Sequence, residues 1–424
     1  MIIKPVKRLL GEITVPGDKS ISHRAVMIAA IARGKTRVAN IQDSDDCNYT
    51  VRAFKEMGIK IYEKGGVTIV EGKGLKGLEK PDSSLFVGSS GTTMRILSGI
   101  LAGQGFEVTV VGDEQLSARP MKRIAGPLSE MGAGVGLKDG EYSPITIKGG
   151  RLDPIDYTLP VPSAQVKSAI LFAGLYAKGA TSVTEDFKSR DHTERMLKYF
   201  GAAIKVKGLK VSVTGVGELK ARPVDVPGDI SSAGFFMAAA TLLKGSKIRI
   251  NGVGINPTRA GIINVLKRMG ADIKILNKKN VFEPVADIVV ESRITRGVTI
   301  KAKEIPTLID ELPVIFVVAA LSKGRTVIEG AAELRVKETD RIRSMLENLE
   351  AMGVKMKVVG DDIVIDGVRG LKGARLKSFG DHRTCMAMAV AALAANGESE
   401  IDDVSCVSKS FPGFFDVLEK IACK

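Results

Sequence analysis

Met57-Gly58-Ile59-Lys60-Ile61 decides the architecture, because it comes back four times. It recurs as Met131-Gly-Ala-Gly-Val135, Phe200-Gly-Ala-Ala-Ile204, Met269-Gly-Ala-Asp-Ile273 and Met352-Gly-Val-Lys-Met356. The glycines Gly58, Gly132, Gly201, Gly270 and Gly353 stand roughly 70 to 80 residues apart, a period that marks internal repeats. An amphipathic stretch precedes each, as in Glu194–Tyr199 and Ile262–Arg268. Each glycine therefore reads as the residue that ends a helix in the left-handed conformation, with a strand to follow.

A second landmark alternates with the first: a short strand, a polar turn, then an Ala-rich apolar helix. Its copies start near Asp18-Lys19-Ser20, Ser89-Ser90-Gly91, Ser163-Ala164-Gln165, Asp229-Ile230-Ser231, Ile309-Asp310-Glu311 and Asp381-His382-Arg383. Together the landmarks define six repeats of about 70 residues, each strand–helix–strand–helix–strand–strand, an α/β pattern. The sixth stops after the helical stretch Phe411–Ile421, so its missing strands must come from Ile2–Val15. Six such units exceed one comfortable core, and three plus three makes two domains. The crossings fall at the two Val-Pro-Gly-Asp segments, Val15–Asp18 and Val226–Asp229. One domain is then discontinuous, residues 1–16 plus 227–424, and residues 17–226 form an inserted domain of three repeats, with the active site expected in the cleft between them.

Composition narrows the function. Hydrophobic residues are 44% and charged residues 26% of 424, which excludes disordered and fibrous chains. No apolar run approaches the roughly 20 residues that span a bilayer, and Met1–Pro5 does not read as a signal peptide, so a cytoplasmic protein without membrane contact is expected. The 4 cysteines form no C-x-x-C pair and the 3 histidines have no metal-ligand spacing. Lys and Arg number 62 against 48 Asp and Glu, a net charge of +14 that favours anionic partners. Aromatics are only 5% and Trp is absent, so bases would find few stacking platforms; small anions fit better than nucleic acid.

The Ala-rich helices begin with small polar or charged residues, where free N–H groups and the helix dipole attract anions. Lys19, Arg24, Arg95, Arg119, Lys337, Arg341, Arg383 and Lys409 lie in or near these turns. One such cation is usually a surface charge, but eight at matching points of a repeat describe an anion site. Gly72-Lys-Gly-Leu-Lys-Gly77 matches G-x-G-x-x-G but leads into Leu-Glu-Lys-Pro and a strand rather than a helix, so it is not a dinucleotide site.

Five long motifs run in order along the chain. They are Pro16-Gly-Asp-Lys-Ser-Ile-Ser-His-Arg24, Gly88-Ser-Ser-Gly-Thr-Thr-Met-Arg95, Asp113-Glu-Gln-Leu-Ser-Ala-Arg-Pro-Met121, Arg335-Val-Lys-Glu-Thr-Asp-Arg341 and Gly380-Asp-His-Arg383. On these the chain resembles the 5-enolpyruvylshikimate-3-phosphate (EPSP) synthase family. The resemblance implies two domains, each an inverted α/β barrel of three repeats. It implies transfer of the enolpyruvyl group of phosphoenolpyruvate to the 5-hydroxyl of shikimate 3-phosphate, by addition and elimination, with no metal or organic cofactor. It implies a monomer acting on small anionic substrates, with glyphosate an inhibitor at the phosphoenolpyruvate pocket.

Site roles follow from the same resemblance. Lys19 would touch both substrates and share in catalysis. Ser20 and Arg24 would hold the shikimate carboxylate. Ser163, Ala164 and Gln165 would bind the 3-phosphate and ring, with Lys337 nearby and a further phosphate contact from Ser189 or Arg190. Gly91, Arg119, Arg341, Arg383 and Lys409, with Lys19 and Gln165, would cradle phosphoenolpyruvate. Asp310 would take the proton of the 5-hydroxyl, and Glu338 would protonate the methylene carbon. Glu338 has to carry a proton to do so, yet cations around it oppose protonation. The bland alternatives are a helical i,i+3 pair of Glu338 with Arg341 and a helix cap for Asp310. Ser89, Ala164 and Glu333 depart from the common family pattern. A UDP-N-acetylglucosamine enolpyruvyl transferase is disfavoured, because Lys19 is followed by Ser20 and Arg119–Met121 holds no Cys. An RNA-terminal-phosphate protein of related fold would need a catalytic His and has no use for Arg335–Arg341.

Overall fold

The computed structural model describes residues 1–215 and 217–423. These divide into two compact units, Met1–Pro16 with Pro227–Lys424, and Gly17–Val226. No helix is long and apolar enough to cross a membrane.

Each unit is built around three helices that are apolar on every side. In one they are Lys19–Ile31, Gly91–Ala102 and Ala164–Gly174; in the other, Ile230–Leu242, Leu312–Leu321 and His382–Leu393. All but a few of their residues are buried, as a helix without a polar face requires. Small residues let them pack closely: a side chain on Gly99 would meet the Ala169 carbonyl oxygen at 2.1 Å, so two of these helices touch backbone to backbone. The amphipathic helices, such as Asp45–Glu56, Gly261–Met269 and Arg341–Ala351, bury one face only.

The five recurring glycines all have positive φ, from +80° at Gly58 to +106° at Gly270. Each closes a helix with the same two bonds. Gly58 N–H donates to the Lys55 carbonyl and Ile59 N–H to the Phe54 carbonyl, both at 3.0 Å, and the pattern repeats at Gly132, Gly201, Gly270 and Gly353. This is the Schellman termination, sealed by an apolar pair such as Phe54 with Ile59, both buried. The residue before each glycine then accepts a bond from farther on: Met57 from Glu79, Met131 from Asp153, Phe200 from Lys220, Met269 from Arg296 and Met352 from Lys372.

The sheets share one order. Leu85–Phe86 runs parallel to Glu107–Val111, which pairs antiparallel with Tyr142–Lys148, which pairs with Gly134–Lys138. The same arrangement occurs with Asp156–Thr158 leading and with Thr299–Ile300 leading. At the two crossings the leading strands are exchanged. Ala32–Ala39, which follows the first inner helix, takes its parallel neighbours from Leu219–Lys220 and Val224–Asp225. Lys247–Gly254, which follows the fourth, takes its parallel neighbour from Arg8–Thr14. Arg8–Thr14 also pairs with Ala422–Cys423, and Ile2–Ile3 pairs with Ser399–Ile401, so the first strands complete the last sheets of their unit.

Candidate active site

In the unit Gly17–Val226 the helix starts are capped by side chains, Asp18 to Ile21 N–H, Ser90 to Thr93 N–H and Ser163 to Val166 N–H. Lys19, the first residue of its helix, pairs with Asp46 at 2.9 Å. Arg24 lies one turn further in and is buried; it donates to Thr193 Oγ1 at 2.6 Å, Ser168 Oγ at 2.9 Å and the Ser20 carbonyl at 2.9 Å. Arg190 reaches Ser20 Oγ at 3.3 Å. Ser189 turns the other way, its N–H and its hydroxyl both donating to the buried Glu185. Glu185 shares Lys167 with Glu194, at 2.7 and 2.9 Å, an ion triad in which every side chain is at most 7% exposed. This triad fixes the loop that carries Arg190.

A second group forms around Gly91. A Cβ there would stand 2.8 Å from Arg95 Nη1 and 3.3 Å from Arg119 Nη1, so two guanidinium groups close over the glycine. Arg95 donates to Gln165 Oε1 at 2.9 Å, and Gln165 Nε2 donates to Thr92 Oγ1 at 3.1 Å, which sets the orientation of the Gln165 amide. Asp113 joins the two turns, accepting from Ser89 Oγ at 2.6 Å and Leu116 N–H at 2.8 Å. Behind them a chain of hydroxyls runs from His23 Nδ1 through Thr50 and Thr93 to Ser90, with steps of 2.6, 2.6 and 2.7 Å. Burial holds His23 well below its ordinary pKa, so the ring is neutral.

In the unit that contains Pro227–Lys424, Arg341 is the centre. Its guanidinium is buried and meets three carboxylates: Asp381 at 2.8 Å, Glu338 at 2.5 Å and Asp310 at 3.3 Å. Those carboxylates push its pKa further above the ordinary value despite burial. Asp310 is also met by Arg383, at 3.4 Å to its carboxylate and 3.1 Å to its carbonyl, and by Arg259 at 3.6 Å. Asp381 caps the helix His382–Leu393 through the N–H groups of Arg383 and Thr384, so one buried carboxylate positions both Arg341 and Arg383. Lys409 donates to the Gly380 carbonyl at 3.3 Å, which brings it to the same turn. Lys337 makes no ion pair among the described residues, and burial pushes its ammonium below the ordinary lysine value.

Two bland readings are corrected by this geometry. Asp310 is not a helix cap: the helix Leu312–Leu321 starts after Glu311, and the Asp310 carboxylate faces guanidinium groups instead. Glu338 does pair with Arg341, but not along a helix, because Asp340 caps the helix that Arg341 begins. Asp46, Glu185, Asp381 and Arg259 were not among the sequence candidates. Asp381 stands inside the quoted motif Gly380–Arg383; the others carry no spacing signal.

Comparison with known proteins agrees with the motifs. The EPSP synthase (3-phosphoshikimate 1-carboxyvinyltransferase) family model matches residues 3–418. A 3-phosphoshikimate 1-carboxyvinyltransferase of Brevibacillus brevis is 51% identical over 422 residues, covering 99% of each chain. One of Desulforamulus reducens is 50% identical over 424 residues, again covering 99% of each. A solved EPSP synthase from Acinetobacter baumannii superposes with a TM-score of 0.90 at 43% identity, covering 100% of this chain and 98% of that one. With its motifs and these matches over essentially its full length, the chain belongs to the EPSP synthase family.

Proposed function

We propose that this chain transfers the enolpyruvyl group of phosphoenolpyruvate to the 5-hydroxyl of shikimate 3-phosphate, releasing phosphate. The observation that carries this reading is Arg341, which holds Asp310 and Glu338, the two carboxylates needed for proton transfer, on one buried guanidinium. An incoming phosphoenolpyruvate anion competes with Glu338 for that cation. Once Glu338 gives up Arg341 it can hold a proton, which answers the conflict between its cationic surroundings and its role as an acid.

In the addition step Asp310 takes the 5-hydroxyl proton, the oxygen bonds to C2 of phosphoenolpyruvate, and Glu338 delivers a proton to the methylene carbon. In the elimination step that carbon returns a proton to the Glu338 carboxylate, the C2–C3 double bond re-forms, and phosphate leaves with the proton that Asp310 had taken. Lys19 offers its ammonium to both substrates. Ser20 and Arg24 take the shikimate carboxylate, for which Arg is the better planar fork. Ser163, Ala164 and Gln165 take the 3-phosphate and ring, with Asp310 near the hydroxyl. Between Ser189 and Arg190, the geometry favours Arg190 as the phosphate contact, because both Ser189 donors are spent on Glu185. Lys337 adds an ammonium that a nearby dianion would keep charged. Gly91, Arg119, Gln165, Arg341, Arg383 and Lys409 receive phosphoenolpyruvate.

Residues 1–16 with 227–424, and residues 17–226, are the two domains in this reading. Each is an inverted barrel, with helices inside and sheets outside. The protein is a cytoplasmic monomer with no nucleic-acid partner. The test is phosphate release from phosphoenolpyruvate by purified protein. It should require shikimate 3-phosphate and fail with UDP-N-acetylglucosamine; release with the sugar nucleotide alone would overturn the reading.

A further inference from the structure

Arg259 is a buried cation beside Asp310 that no motif singled out. Its side chain is 4% exposed. It stands on a hydrogen-bonded turn. Asn256 Oδ1 accepts from the N–H and the hydroxyl of Thr258, both at 2.9 Å, Asn256 Nδ2 donates to Glu283 at 2.8 Å, and Arg259 N–H donates to the Asn256 carbonyl at 2.8 Å. From there the guanidinium reaches two hydrogen-bond acceptors and, at longer range, two carboxylates. Nη2 donates to Ser231 Oγ at 2.8 Å and Asp229 Oδ1 at 3.1 Å. Nη1 lies 3.6 Å from Asp310 Oδ2 and 3.6 Å from Glu311 Oε1.

Glu311 makes the arrangement informative. It is buried, its Oε1 accepts from Ser231 Oγ, and its Oε2 has no hydrogen-bond partner. A buried carboxyl beside the proposed base competes with it for the same cation. A guanidinium anchored through Nη2 to Asp229 and Ser231 holds its Nη1 edge at a set place between the two carboxyl groups, which a mobile lysine would not do.

We propose that Arg259 is a positioning residue for the reaction: anchored by Asp229, Ser231 and the Asn256 turn, it fixes the Asp310 carboxylate in its proton-accepting orientation while Glu311 occupies its other side. This rests on the reading of Asp310 as the base. Arg259 acts through Asp310 and touches no substrate in this account.

Arg341, Arg383, Lys337 and Glu311 also bear on Asp310. Glu311 also contacts Arg259, at 3.6 Å, so the Glu311→Gln variants are needed to assign a change in the pH profile to Asp310. Removing one cation from beside a carboxylate raises its pKa, and a base works only when ionised. The acidic limb of kcat against pH should therefore move to higher pH in Arg259→Met.

The test compares Arg259→Met, Arg259→Lys, Glu311→Gln, Asp310→Asn and their combinations in the full-length protein, with folding checked by thermal denaturation. Arg259→Met should lower kcat about 10- to 100-fold with both KM values within about threefold, and shift the acidic limb upward. Arg259→Lys, which keeps the charge and loses the fork, should return the limb toward wild type without restoring full kcat. A purely structural role, neutralising buried Glu311, makes a different forecast: the Arg259→Met, Glu311→Gln double variant would regain wild-type kcat. The double variant also removes the unpaired buried charge, so it keeps the test alive if Arg259→Met alone does not fold. In an Asp310→Asn background the Arg259→Met effect should vanish. Full kcat in Arg259→Met, or its recovery in the double variant, overturns the proposal. Full kcat in Asp310→Asn itself overturns the assignment of the base instead.

Discussion

Arg341 satisfies Asp310, Glu338 and Asp381 with one side chain, and their exposure separates them. Asp381 is fully buried and structural, whereas Asp310 and Glu338 keep 15% and 22% of their side chains exposed and can meet a substrate. Isosteric replacement separates charge from shape. Asp310→Asn and Glu338→Gln should each lower kcat about 10²- to 10⁴-fold and leave both KM values within about tenfold, read from steady-state kinetics. Retention of more than about a third of wild-type kcat would remove the residue from its role. Gly91 is constrained differently, by what lies over it. A methyl at Gly91 would sit 2.8 Å from Arg95 and 3.3 Å from Arg119, so these guanidinium tips must give way. They can, being the ends of flexible chains, but in the proposed reading the phosphoenolpyruvate pocket wall moves with them. The wild type should be glyphosate-sensitive, and Gly91→Ala should raise the glyphosate Ki by an overpacking cost of about 1–3 kcal/mol while raising the KM for phosphoenolpyruvate less. Equal losses for both ligands, or an insensitive wild type, would show that Gly91 does not set the room at this wall.

The inner helices are fixed at their starts by polar chains as well as by apolar packing. His23, Thr50, Thr93 and Ser90 link the helices Lys19–Ile31, Asp45–Glu56 and Gly91–Ala102 through a buried run of hydrogen bonds. The ring of His23 is held neutral by burial first and then by Lys19 and Arg24. The sign of the resulting pH effect is definite. Unfolded, the ring titrates near its ordinary value of 6.5; folded, its pKa lies well below that. Between those two values the unfolded chain binds the extra proton, so stability contributed by neutral His23 is present above about pH 6.5 and falls on acidification, by up to about 1.4 kcal/mol per pH unit. Urea midpoints for wild type and His23→Gln, measured from pH 7.5 to 5, should show a shallower decline in the variant. Parallel lines would mean that His23 protonates as readily folded as unfolded. The outer helices are governed instead by their ends. Their recurring Met-Gly or Phe-Gly could be read directly, because only glycine reaches φ of about +100° cheaply and its apolar flanks seal the same termination each time.

At the scale of the whole molecule the exchange of leading strands decides which pieces can stand alone. Among the described residues, the unit Gly17–Val226 draws its sheet partners from within itself, since Leu219–Lys220 and Val224–Asp225 close on Ala32–Ala39. Residues 227–424 lack Arg8–Thr14, which lies inside a five-stranded sheet between Lys247–Gly254 and Ala422–Cys423. A fragment 17–226 should therefore fold cooperatively, and 227–424 should do so only when residues 1–16 are fused or added as a peptide, as judged by circular dichroism and thermal melts. Cooperative folding of 227–424 alone would contradict the strand accounting. Much of this was legible beforehand. Repeat period, helix ends and the need for N-terminal strands to complete the last repeat follow from local rules: glycine conformation, hydrophobic periodicity and unpaired strand edges. The motifs likewise marked Lys19, Gly91, Glu338 and Arg341 without coordinates, and the helix-start landmark Ile309-Asp310-Glu311 marked Asp310. Only the tertiary structure decided the pairings: Lys19 with Asp46, Glu185 with Lys167 and Ser189, Arg341 with Asp381, and Arg259 with Asp229 and Asp310. The reason is physical. A helix end announces itself through neighbours in the chain, whereas an ion pair depends on which of 62 cations and 48 carboxylates the packing brings within hydrogen-bond reach, and no local pattern encodes that distance.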